Sequence, residues 1–454
     1  MQTPNWTKDA FFYHIYPLGL LDAPVDNQFH LPPEPRLKNL YPWLDHLQWL
    51  GVNALYLGPL FQSGRHGYDT SDYFLVDRRL GSNQDMKELA DEIHRRGMRL
   101  ILDGVFNHTG RSFWAFRDIQ VNGQASAYTG WYEGLRFDEH NSSGDPFTYQ
   151  NWAGHDSLPK LNLTNPDVRN HLLAAVQFWM DEWEIDGLRL DAADCIDINF
   201  WQELRRFTER INPEFWLMGE IIHGDYSQWA NPQTLHATTN YEGYKGLWSS
   251  LNDANYFEIA YALNRQFGKH GIYKDLNLYN FADNHDVNRA ASQLLNPAHL
   301  FPLYALLFTM PGIPSIYYGS EWGIKGKRTE QNDLELRPAI NLHHYIQAAP
   351  EPQLPQTIRD LANLRRDLPA IRYGDYRQES VSAQQLVFWR SYAGQNVLVA
   401  INSSAQPVDL KGIKVPQHQQ AHTVWPHPYP LQTNNGTLDA SIPACGLMVF
   451  SFEA

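Results

Sequence analysis

Along the chain, short runs of apolar and aromatic residues alternate with longer stretches in which apolar positions recur every three or four residues. This rhythm predicts strands alternating with helices. Residues 11–16, aromatic and ended by Pro17, predict a first strand; residues 40–50 have helical spacing and stop at Gly51, and 53–58 predict a second strand. Ser82 to Asp85 has the form of a capping box. It opens a helix with Met86, Leu89, Ala90 and Ile93 on one face and Gly97 past its end, and 98–103 follow as a third strand. Residues 109–162 break the rhythm: they are rich in Gly, Ser, Asn and aromatics and too long for an ordinary connection, which predicts an inserted subdomain. Asn165-Pro166-Asp167 then starts a helix through Leu172, Val176, Trp179 and Trp183, and the stretch from Gly187, ended by Asp191, predicts strand four. A helix over 199–211, strands at 215–220 and, on a polar pattern, 237–241, a helix over 251–267, a strand at 278–283, a helix over 298–310 and a strand at 313–318 complete the series.

Eight such units in about 360 residues predict an α/β fold, a closed (β/α)8 TIM barrel over 1–108 and 163–371, with 109–162 inserted after strand three. An open doubly wound sheet is the alternative, and no Gly-rich phosphate loop follows an early strand to favour it. After a helix over 354–368 the pattern changes to short strands at 385–389, 396–401, 422–425 and 447–452, separated by Gly, Asn, Ser and Pro. Residues 372–454 therefore predict a C-terminal antiparallel β-sandwich domain.

A net charge of −14 argues against nucleic acid and against an anionic membrane surface as partners. Aromatics at 13%, including 15 Trp, exceed what a core needs and suit stacking on sugar faces, although most of them belong to the core. No basic region followed by an apolar run opens the sequence and no stretch is long enough to span a membrane. With two cysteines, Cys195 and Cys445, a disulfide framework is not expected, and the expected compartment is the cytoplasm.

In Gly187-Leu188-Arg189-Leu190-Asp191 charged and apolar positions alternate, so Arg189 and Asp191 share a face at the end of strand four. A buried structural ion pair gives the same pattern. Two further carboxylates decide between the readings: Glu220 ends strand five, 29 residues on, and Asp286 lies just past strand seven, 66 residues beyond that. In a barrel the three meet at one mouth, whereas any one of them alone reads as a helix cap. Arg189 is expected to keep Asp191 ionised as a nucleophile requires, and Trp216, Leu217 and Met218 to raise Glu220 toward a general acid. Asn107, His108 and His285 offer donors to hydroxyl groups. A nucleophile and an acid/base flanking one bond are the apparatus of retaining glycoside hydrolysis.

Four segments carry a resemblance. Asp103-Gly104-Val105-Phe106-Asn107-His108, Gly187 to Asp191, Gly219-Glu220 and Phe281 to Asp286 resemble, in order and spacing, the signature regions of the α-amylase family of glycoside hydrolases. The resemblance implies that Asp191 is the nucleophile, Glu220 the general acid/base and Asp286 the transition-state stabiliser. It also implies that Arg189, His108 and His285 line the subsite of the transferred sugar, that Tyr68 stacks on it, and that Asp333 and Arg337 bind its hydroxyls. Without it, the last pair reads as a surface helix contact.

Leu158-Pro159-Lys160-Leu161-Asn162 is similar to a segment of neopullulanases, cyclomaltodextrinases and maltogenic amylases, with leucine in place of the usual methionine. This implies short maltooligosaccharides, cyclodextrins or pullulan as substrates, cleaved at α-1,4 bonds with some tolerance of α-1,6. Those enzymes commonly carry an extra N-terminal β domain that helps them dimerise; here strand one begins near residue 11, so a more open site and a monomer or weak homodimer are expected. Asp194 and Cys195 stand where many α-amylases have Lys-His, which contact the leaving group and calcium. No cofactor is expected, and Asn107 is the one candidate ligand for calcium. A transglycosylase or isomerase of the same family is the nearest rival; a non-catalytic glucan-binding protein is the rival from another class.

Overall fold

The computed structural model describes residues 4–330, 332–416, 420–427, 429–430 and 436–453. Strands β1 (Phe12–Ile15), β2 (Ala54–Leu57), β3 (Arg99–Gly104), β4 (Gly187–Leu190), β5 (Trp216–Gly219), β6 (Ala237–Thr238), β7 (Tyr279–Phe281) and β8 (Ile313–Tyr317) form one parallel sheet. Its order is β6-β5-β4-β3-β2-β1-β8-β7. A parallel bridge from Thr239 to Tyr279 joins the two ends, so the sheet closes into a barrel and the open-sheet alternative falls. Because side chains alternate along a strand, one set fills the interior: Phe12, Tyr56, Ile101, Trp216, Met218, Tyr279 and Phe281 pack together there. Phe12 and Trp216 have ring centroids 5.2 Å apart, and truncating a buried tryptophan of this kind costs about 3–5 kcal/mol. Gly187 lets β4 approach β5, since a Cβ there would lie 2.4 Å from the Trp216 carbonyl oxygen.

The helices follow the apolar spacing. Asn83–Arg95 is opened by Ser82, whose side chain accepts the Asp85 N–H while Asp85 returns the bond to the Ser82 N–H. Met86, Leu89, Ala90 and Ile93 are its buried face, as the period requires. One expectation fails. The helix expected over 251–267 is two helices, Tyr241–Asn252 and Tyr256–Phe267, and β6 is correspondingly shorter than expected. The Asn240 side chain caps the first by accepting the Gly243 N–H, and Ala254, at φ 47°, breaks the run between them. A hairpin of Phe61–Ser63 with Thr70–Val76 was also not expected; Asp77 pins it by accepting the Ser63 N–H at 3.1 Å and its hydroxyl at 2.9 Å.

Between β3 and β4 lie a helix, Trp114–Asn122, and a hairpin of Asn151–Trp152 with His155–Pro159. An antiparallel bridge from His108 to Lys160 ties this segment back to the end of β3. Beyond the barrel, β9 (Asp375–Val381), β10 (Gln385–Tyr392), β11 (Gln395–Asn402), β13 (Gln420–Trp425) and β15 (Gly446–Glu453) form an antiparallel sheet, and β12 (Val408–Lys414) pairs with β14 (Thr437–Ile442). Alternation divides β10: Leu386 and Phe388 pack toward the barrel, while Val387 and Trp389 join Leu410, Leu438 and Ile442 in a second core.

Candidate active site

Side chains just past the last paired residue of a barrel strand face the opening. The Asp191 N–H donates to the Gly104 carbonyl at 3.0 Å and the Glu220 N–H to the Leu190 carbonyl at 2.9 Å, so both carboxylates leave the sheet while the backbone is still in register. Between them Ala192 turns the chain at φ 43°, a left-handed conformation that costs a non-glycine residue about 1 kcal/mol. Its N–H donates to Glu220 Oε2 at 3.2 Å.

Arg189 is the hub. Its Nη1 donates to Asp103 Oδ1 at 2.8 Å and to Asp191 Oδ1 at 2.9 Å, and its Nη2 meets Glu220 Oε1 at 2.7 Å. One buried guanidinium thus serves three carboxylates. Burial opposes its charge, but Asp103 and Glu220 hold it firmly ionised. Burial also pushes the Asp191 carboxyl well above the usual carboxylate range; Arg189 pulls it down, and Glu220, Asp103 and Asp286 add to the rise. The expectation that Arg189 secures the ionisation of Asp191 is therefore corrected, because the guanidinium is divided among competing acids. Of the apolar residues expected around Glu220, Met218 lines the same pocket as the carboxylate, with Phe281 and Tyr279. Trp216 packs on Phe12 inside the barrel, and Glu220 is held by Arg189, by the Ala192 N–H and by the Tyr241 hydroxyl at 3.3 Å.

A second group faces the first. His285 Nε2 lies 3.0 Å from Asp286 Oδ2 and also contacts the Tyr68 hydroxyl. The Tyr68 and His285 rings are parallel with centroids 5.4 Å apart, and the Tyr68 hydroxyl donates to Asp103 Oδ2 at 3.1 Å, which joins the two groups. Arg337 Nη2 bridges Asp286 Oδ1 at 2.9 Å and Asp333 Oδ2 at 2.6 Å. Far from a surface helix contact, Arg337 is mostly buried, with its guanidinium 4.7 Å from the Tyr16 ring centroid. Burial works to raise Asp286, but His285 and Arg337 outweigh it and hold the carboxyl well below the usual range.

His108 is buried, and burial, aided by His66, lowers its pKa to about 3, so the ring is neutral. Its Nδ1 accepts from Asn107 Nδ2 at 3.2 Å, which leaves Nε2 carrying the proton with no partner among the described residues. Asn107 Oδ1 is likewise buried and unpartnered. For calcium the surroundings fit poorly: the cavity beside Asn107 holds the Lys160 ammonium, paired to Glu133 at 3.1 Å. No group of three His, Cys, Asp or Glu suited to a metal occurs among the described residues.

The structure therefore brings Asp191, Glu220, Asp286, Arg189, His285, Tyr68, Asp333 and Arg337 into one bonded network, with His108 beside Tyr68. Sequence reading missed two members. Asp103 stood in the first quoted motif but had no visible partner, since Arg189 lies 86 residues away. Tyr241 opens a helix that had not been recognised, and nothing local marked it.

The family model for the alpha amylase catalytic domain matches residues 36–347. A cyclomaltodextrinase of a Bacillus species is 33% identical over 423 residues, covering 88% of this chain and 74% of that protein. Neopullulanase 2 of Thermoactinomyces vulgaris is 32% identical over 427 residues, covering 89% and 71%. Among solved structures, cyclic α-maltosyl-(1→6)-maltose hydrolase of Arthrobacter globiformis, in complex with its cyclic tetrasaccharide, superposes with a TM-score of 0.84 at 27% identity, over 99% of this chain and all of that one. A closed barrel, a C-terminal antiparallel sheet and a family match across more than half of its length place the chain in the α-amylase family of glycoside hydrolases.

Proposed function

We propose that the protein is a retaining hydrolase of short maltooligosaccharides and cyclodextrins, cleaving α-1,4 bonds and tolerating α-1,6. The observation that carries the chemistry is the shared guanidinium. Asp191 and Glu220 bond to the two terminal nitrogens of Arg189, which favours the short carboxyl spacing, about 5 Å, of a retaining pair over the wider gap an inverting enzyme keeps for water. Asp191 attacks the anomeric carbon to form a glycosyl ester while Glu220 protonates the departing oxygen; Glu220 then takes a proton from water, which releases the sugar with its configuration retained. Asp286, kept ionised by His285 and Arg337, faces the developing positive charge. Tyr68 stacks on the sugar, the free Nε2–H of His108 donates to a hydroxyl, and Arg337 with Asp333 and His285 holds the others.

The relatives named cyclomaltodextrinase and neopullulanase support the substrate class. The reaction needs no cofactor, and the Lys160 ammonium beside Asn107 argues against calcium. No helix among the described residues is long and apolar enough to cross a membrane. Two free thiols, Cys195 and Cys445, support a cytoplasmic protein, and we take it to act as a monomer or weak homodimer. The test is a time course on maltopentaose and on a cyclodextrin, with product size and first-formed anomer read by NMR. Maltose and glucose released as the α-anomer, with the cyclodextrin consumed, is the expected result. Products longer than the substrate would replace hydrolysis by transglycosylation, and β-anomers would rule out retention.

A further inference from the structure

At the end of the barrel opposite Asp191 lies a cavity of about 710 Å³. His236 just before β6, Asn277 before β7 and Gly312 before β8 line it from the barrel, and Gly374, Tyr376 on β9 and Arg390 on β10 close it from the C-terminal sheet. Its inner wall is made of buried donors. Arg390 is 1% exposed and spends its guanidinium on carbonyl oxygens alone, Thr309 at 2.7 Å and Gly374 at 2.9 Å. The His236 Nδ1 accepts the Leu217 N–H at 2.9 Å, which fixes the proton on Nε2. That Nε2–H and the Tyr376 hydroxyl are buried and have no partner among the described residues. Both side chains are more than nine-tenths buried.

The charge balance points the same way. Of the five cations lining the cavity, Arg205 and Arg372 have carboxylate partners in Glu209 and Asp9. Lys8, Lys274 and Arg390 have none among the described residues. Behind Arg390, the buried Arg365 donates only to the carbonyls of Phe308 and Gly312. Burial draws each of these two arginines down to about 9, helped by the charge of Arg372 at Arg365 and of Arg365 at Arg390, so both remain cationic at neutral pH. The carboxylates that line the cavity, Asp275 next to Lys274 in the chain and Asp375, are exposed, and Asp375 is near enough to Arg390 to offset part of its charge. Three buried donors on one wall, Arg390, His236 and Tyr376, suit an oxyanion, and exposed carboxylates suit the hydroxyl groups of whatever carries it.

We infer that this cavity is a binding site for the phosphate ester of a small sugar, with the phosphate against Arg390, Tyr376 and His236 and the hydroxyls toward Asp275 and Asp375. The site is separate from the glycosidase mouth and does not depend on its chemistry. The overall charge of −14 does not oppose it, because the donors are concentrated at one place.

Calorimetric titration of the full chain with glucose 6-phosphate, inorganic phosphate and glucose, at constant ionic strength, tests the site. The expected result is saturable binding of the ester, weaker binding of phosphate, and for glucose only such binding as the two substitutions below leave unchanged. Ligand at a hundred times its Kd should raise the thermal midpoint by about 3 °C. Tyr376→Phe keeps the ring that packs on Phe388 and should weaken the ester about tenfold; Lys274→Ala should weaken it about threefold. No saturable binding of either anion, or a Kd unmoved by both substitutions, overturns the site. Phosphate binding as tightly as its ester overturns the sugar part of the assignment.

Discussion

The two ends of the barrel are built with opposite charge logic. At the mouth, three buried acids crowd one arginine, and burial, joined by the other acids, drives Asp191 upward. At the base, two buried arginines rest on carbonyl oxygens, and burial, joined by a neighbouring arginine, drives each downward. Each end holds an excess of one sign in a desolvated place, and each, on the roles proposed above, would take a ligand that brings the other: a glycosyl cation at the mouth, an oxyanion at the base. Buried like charges are costly without a partner. The comparison teaches that an excess of one buried sign marks both places to which a ligand is proposed.

The sharpest break would come at the mouth. Asp191→Asn and Glu220→Gln should each lower kcat by about 10⁴-fold or more with the fold retained by circular dichroism; a variant with wild-type turnover would remove its residue from the proposed role. Tyr68→Ala should lower kcat/KM by about 10²-fold, since it loosens both the sugar platform and the bond to Asp103. Unchanged kinetics would make Tyr68 a core residue.

The upward push on Asp191 has a direct reading in pH. In its proposed role as nucleophile it must be ionised, so the acid limb of kcat/KM should lie above the ordinary aspartate value of about 4. An acid limb at or below that value would mean that Arg189 prevails over its crowd. The smallest effect concerns stability. His108 and His236 are held neutral, with pKa values lowered by burial to about 3 and about 2. The unfolded chain takes up these protons first, so stability should fall as pH drops below the unfolded histidine value of about 6.5. Thermal midpoints followed from pH 7 to pH 4 should decline, and a His108→Gln protein should decline less steeply.

What the sequence reveals, and what it hides, follows from range. The Ser82 cap and the Met86, Leu89, Ala90, Ile93 face are set within one helix, and both are legible without a structure. So is the barrel, whose parallel strands repeat one local pattern, and so are the mouth's acids, since a strand end announces itself. The tuning of those acids is not legible. Arg189 reaches Asp103 across 86 positions and Tyr68 reaches His285 across 217, and no periodicity records either contact. The base cavity is further still from view, gathering residues from Asn5 to Arg390. The division of residues 241–267 into two helices turned on a single left-handed residue, Ala254, which no apolar pattern encodes.

The Arg189 hub also constrains how this protein can change over generations. Replace the arginine and three acids lose their counter-charge together; replace one acid and the arginine's pull shifts abruptly to the remaining two. Effects at these four positions must therefore be strongly non-additive. A lineage can exchange them only as a set, through intermediates less fit than either end, so the hub acts as a lock on inherited variation as well as a device for holding charge.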